Sequence, residues 1–176
     1  MGRLDRFEDC LKKGRLKPTE ATAQLVSETI RSALAELERG RSRHAAGAYD
    51  DALTQGFFAA YRSAQAALRS RGYRDTNMYG LCAGLQHLFV EPGLLIAESV
   101  ARLSQAKDMK DLVYEGGVRA TVQEAHDMVL WAAAFVRRIL EILAIPEFDP
   151  GKIEVSLPPP RQRRPPPPLP GDPFGR

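Results

Sequence analysis

The sequence predicts an all-α fold: an up-down bundle of five to six helices, followed by a disordered Pro/Arg-rich tail. Three observations predict it. Apolar residues recur at helical spacing along most of the chain, and no run shows the strict alternation of a half-buried strand. Glycines, prolines and capping residues cut that pattern into six segments separated by short gaps, which favours antiparallel neighbours. The chain has 176 residues, 44% of them hydrophobic, enough for one core without disulfide or metal staples. The predicted division is a bundle over residues 1–146 and a tail over 147–176.

The first helix is expected from about Leu4 to Lys13, stopped by Gly14. Pro18-Thr19-Glu20 reads as the opening of the second, which carries Leu25, Ile30, Leu34 and Leu37 and ends near Gly40 or Gly47. Asp50-Asp51 begins the third, with Phe57, Phe58, Tyr61, Ala64 and Leu68 before Gly72; its small residues (Gly56, Ala59, Ala60, Ser63, Ala64, Ala67) let another helix approach closely. Asp75-Thr76 is read as the cap of the fourth, with Leu81, Leu85, Leu88 and Phe89 ahead of Pro92-Gly93. The fifth runs from about Leu94 to Tyr114 and stops at Gly116-Gly117. Thr121-Val-Gln-Glu124 is a capping box that opens the last helix, whose inner face carries Val122, Ala125, Val129, Ala132, Val136, Ile139 and Leu143 up to Pro146.

Beyond Pro146 the composition changes. Pro158-Pro-Pro160 and Arg161 to Pro170 are almost entirely proline and arginine, which predicts disorder or polyproline II. Arg164 to Pro170 fits an R-x-x-P-x-x-P ligand of SH3-type domains, or is simply a solubilising tail. The whole net charge of +3 lies from Lys152 onward, where five basic residues face two acidic ones. The bundle itself is neutral and does not look like a strongly basic nucleic-acid-binding domain. Cys10 and Cys82 are isolated thiols, so neither a disulfide framework nor structural zinc is expected, and a reduced, cytoplasmic setting is. The N-terminus is charged and lacks the apolar core of a signal peptide, and the longest apolar stretch, around Met128 to Val136, falls short of a membrane span.

One segment carries chemistry. In Ala106 to Gly117, the residues Lys107, Lys110, Asp111 and Tyr114 are spaced to share one helix face, opposite Met109, Leu112 and Val113. Two cations, a carboxylate and a phenol on one face make either a phosphate or nucleotide site, with Lys107 and Lys110 as the phosphate ligands, or a solvated stripe held by the i,i+4 pair Lys107–Asp111. Asp50 and Asp51 read as helix-start charges favoured by the dipole. The histidines form no constellation: His44 lies among Arg39, Arg41 and Arg43 and reads as solvated, His87 beside Leu88 and Phe89 reads as core or interface, and His126 has no partner at metal-ligand spacing. Gly116-Gly117 lacks the Lys and Ser/Thr of a phosphate loop. No metal and no cofactor is expected.

Three segments, in this order, resemble the prokaryotic HEPN domain family: Gly47 to Leu68 with its acidic start and Ala/aromatic run, Arg71-Gly-Tyr-Arg74 followed by the helix with His87-Leu-Phe89, and Ala106 to Tyr114 followed by Thr121-Val-Gln-Glu-Ala125. The resemblance spans about Leu4 to Leu143 and lies in helix order and spacing. It implies a dimeric helical bundle. It further implies a partner, often a small nucleotidyltransferase in a toxin–antitoxin-like pair, or RNA or nucleotide. In active relatives the signature is a metal-independent endoribonuclease site, in which an Arg stabilises the scissile phosphate and a His transfers protons. Here the catalytic positions fall on Lys110, Asp111 and Tyr114. With Tyr114 in the His or Tyr place, Met109 takes the Arg place and Lys110 the Asn place; with a gap, Lys110-Asp111 stands for Arg-Asn. Neither register contains a His, a phenol ordinarily titrates near 10, and Lys is a point charge where Arg offers a fork. The sequence therefore points first to a non-catalytic interaction module with a diverged nuclease site, and second to a ribonuclease using a diverged Lys/Tyr cleft.

Overall fold

The computed structural model describes residues 3–159. Its helices are α1 (Arg3–Lys12), α2 (Ala23–Ala45), α3 (Tyr49–Ser70), α4 (Met78–Leu85), α5 (Ala97–Tyr114) and α6 (Val122–Leu143), and two short strands, β1 (Leu16–Pro18) and β2 (Tyr73–Asp75), join them. The helical bundle expected from periodicity is the fold.

α3 is the central helix, packed most extensively on α2, then on α6 and α5. Its small-residue stripe is the reason. Gly56, Ala59, Ala60, Ser63, Ala64 and Ala67 are all buried. A Cβ at Gly56 would stand 3.0 Å from the Met128 side chain of α6 and 3.4 Å from its backbone, so glycine lets α6 approach without displacing Met128. α6 begins at the expected capping box: Thr121 Oγ1 accepts the Glu124 N–H at 3.1 Å, and Glu124 accepts the Thr121 N–H at 2.8 Å.

Several expectations are corrected. β1 and β2 form an antiparallel ribbon pairing Leu16 with Asp75 and Pro18 with Tyr73. Pro18 therefore ends a strand and does not open α2. Lys17 is held extended by the proline that follows, and Thr22 caps α2 instead, accepting the Leu25 N–H at 3.1 Å. Asp75 and Thr76 likewise do not cap α4. Asn77 does, accepting the Gly80 N–H at 2.8 Å, while Asp75 accepts from Tyr61 at 2.7 Å and Gln65 at 3.0 Å and locks the ribbon to α3. α4 passes into a π-helical turn at Gln86–Val90, where one regular helix was expected.

The boundary expected after Pro146 falls inside the folded body. Arg31 of α2 grips Glu147, Arg41 donates to the carbonyl of Ser156 at 3.0 Å, and Ile153 is buried. Residues 147–157 thus form a strap across α2, because Phe148, Ile153 and Leu157 supply apolar anchors that the proline-rich composition concealed. The proline and arginine stretch from Pro160 to Pro170, with its SH3-type match, lies outside the described residues.

Candidate functional site

The C-terminal half of α5 gathers the four residues singled out in the sequence. Lys107 and Lys110 both reach Asp111, one to each carboxylate oxygen. The two ammonium groups hold the Asp111 carboxyl below its usual range, Lys107 first and Lys110 second, and Asp111 raises the Lys107 ammonium in return. Both cations are therefore engaged by one anion, and the cluster carries a net single positive charge. Lys110 is nearly enclosed: its side chain is 13% exposed, with its ammonium 5.7 Å from the centre of the Phe57 ring and 5.9 Å from that of Tyr114. Tyr114 itself is 74% exposed.

This geometry suits a diverged phosphate cleft poorly. Stabilising a phosphoryl transition state takes donors already aimed at the developing charge. Here both lysines are drawn to Asp111, whose carboxylate offsets one of their two charges, and an incoming phosphate would have to compete with it. None of the three histidines joins the cluster. His87 lies 2.9 Å from Glu91 and stacks on Phe7 with ring centres 4.4 Å apart. His44 and His126 lie against each other in the α2–α6 packing, 5.3 Å apart. Among the described residues no group of three His, Cys, Asp or Glu side chains is placed to hold a metal ion.

What α5 does present is apolar surface. Leu112 is 57% exposed and Val118 51%, and the Val118 N–H donates to the Leu112 carbonyl at 3.1 Å, which holds the two together. Val122, at the start of α6, is also exposed. With Tyr114 they leave apolar surface at the α5–α6 junction, near a cluster of net charge +1. Asp50 fixes this junction to α3, accepting the Ala120 N–H and an Arg119 N–H, each at 2.7 Å. The Ala120 backbone bond, ahead of Arg119, keeps its carboxyl below the usual range. Asp50 is thus a tether as well as a helix-start charge.

The expectation for His44 is overturned. It is 0% exposed, and neither ring nitrogen has a partner. The spacing Val26, Ile30, Ala33, Leu37, Gly40, His44 places it on the buried stripe of α2, a signal that the surrounding arginines hid. Burial, and secondly the neighbouring His126, lower its pKa from the ordinary 6.5. The sign follows from linkage: the unfolded chain takes the proton more readily, so stability is full above pH 6.5 and declines as the pH falls below it. In thermal melts, His44→Leu is expected to lie close to the native protein at pH 7. The native protein should lose on the order of 1 kcal/mol more than the variant on going to pH 5, as an imidazolium enters an unpartnered site. Equal acid losses would contradict the assignment.

No protein-family model matches this chain, and no curated protein matches its sequence.

Proposed function

We propose that this chain is an interaction module, HEPN-like in helix order, that forms a homodimer through the C-terminal end of α5 and engages a partner protein. A small nucleotidyltransferase of a toxin–antitoxin-like pair is the partner the resemblance favours. The supporting observation is the exposure of Leu112, Tyr114 and Val118 at the end of α5, beside two lysines already paired with Asp111. Exposed apolar side chains gathered at one end of a helix favour protein contact. Cations occupied by their own carboxylate disfavour phosphate chemistry. Among the described residues no helix is long and apolar enough to cross a membrane.

Induced expression in a bacterial host, with growth and total RNA followed over time, tests the non-catalytic part of this reading. Normal growth and intact RNA are expected for the native chain and equally for Lys110→Ala and Tyr114→Phe. Growth arrest with RNA cleavage, abolished by both substitutions, would make the cluster an active ribonuclease site and overturn the reading.

A further inference from the structure

We propose that the cavity between α4 and α5 binds a small amphipathic anion: a carboxylate carried on an apolar acyl or aryl body. The site goes beyond the interaction surface and does not rest on it, since that surface lies further along α5.

The cavity measures about 530 Å³ and takes one wall from each helix and an edge from α1. That size is within the range of small-molecule sites, which runs from about 300 to 1,000 Å³. Its body is apolar, with Cys82 and Ala83 on one side facing Val100 and Ala101 on the other. Burial pushes the Cys82 thiol up to about 11, so it stays protonated and behaves as a small apolar group.

The charged lining residues are Arg6 and Lys107, with no carboxylate among them. Lys107 is already drawn to Asp111, which leaves Arg6 as the main countercharge and suits one negative charge better than a phosphate. Gln86 lines the cavity as well and adds a polar side chain to its wall. Gln86 also begins the π-helical turn that follows α4, and such turns recur at functional sites because they re-aim side chains out of the regular helical ladder.

Calorimetric titration of the full chain with decanoate, 2-naphthoate and the uncharged decanol tests the proposal, each kept below its aggregation limit. At least one carboxylate is expected to bind saturably at one site. Decanoate alone would mark an acyl ligand, 2-naphthoate alone an aryl one. Ala101→Trp, at an exposed position on the cavity wall where a large side chain leaves the core untouched, should weaken binding at least tenfold with helicity and melting temperature unchanged. Arg6→Gln should weaken the carboxylates several-fold and leave decanol as it was. Absence of saturable binding by both carboxylates, or binding unchanged in Ala101→Trp, would overturn the proposal. So would carboxylate binding insensitive to Arg6→Gln.

Discussion

Gly80→Ala is expected to destabilise the protein by about 3 kcal/mol, at the upper end of what overpacking costs. The first turn of α4 lies directly on the backbone of Arg15. A Cβ at Gly80 would fall far inside van der Waals contact with the Arg15 carbonyl oxygen and 2.7 Å from its carbon. A flexible side chain could step aside, but this obstacle is main chain, and it is held in place. The Arg15 carbonyl accepts the Thr76 N–H at 3.0 Å, beside the β1–β2 ribbon. Relief therefore requires α4 to lift from the ribbon, which also loosens the Asn77 cap. Urea unfolding followed by circular dichroism measures the effect. A loss below about 0.5 kcal/mol, the range of an innocuous surface change, would show that α4 is not seated on the ribbon.

Phe89→Ala is expected to cost about 3–5 kcal/mol, the range for emptying an aromatic site in a core. Phe89 is 0% exposed and is among the largest fully buried side chains. It sits inside the π-helical turn, with the Arg71 guanidinium 5.3 Å from its ring centre. Its carbonyl accepts the N–H groups of Leu94 and Leu95 at 2.8 and 2.9 Å, so the same residue shapes the turn toward α5. Loss of the ring empties the core beneath that turn. Total stability for a chain of this size is typically about 5–15 kcal/mol, so the variant should be marginal at 37 °C. Phe89→Leu keeps most of the volume and should cost under about 1.5 kcal/mol. Equal losses for the two variants would show that ring volume is not what the site requires.

α2, α3 and α6 were legible because each carries a sustained 3.6-residue pattern, and the Thr121–Glu124 box marks one start without ambiguity; α4 and α5 carry little of it and were legible chiefly from the Pro and Gly that bound them. What sequence reasoning missed is short or tertiary. Leu16–Pro18 and Tyr73–Asp75 are too brief to show any period, and one of them ends on proline, so only their pairing makes them strands. The caps slipped by one to three residues because Thr19, Thr22, Asp75, Thr76 and Asn77 are all chemically able to cap; packing of the ribbon decides among them. The strap at 147–157 was hidden by composition, since three apolar anchors suffice to dock a segment that is otherwise polar and proline-rich. At the site, the Lys107–Asp111 pair followed from i,i+4 spacing. The enclosure of Lys110 between Phe57 and Tyr114 did not, because it depends on how α5 lies on α3.

The central claim, that the end of α5 is a protein-binding face, is tested most directly by sedimentation equilibrium on the native chain and on Leu112→Asp and Tyr114→Asp. The chain weighs 19.5 kDa. The account predicts a native mass near twice that value. It also predicts a return to the single-chain mass in both variants with helicity intact, since a carboxylate at an exposed position disturbs a contact between molecules and not the core. A single-chain mass for the native protein at every concentration, or a dimer indifferent to both substitutions, would contradict it.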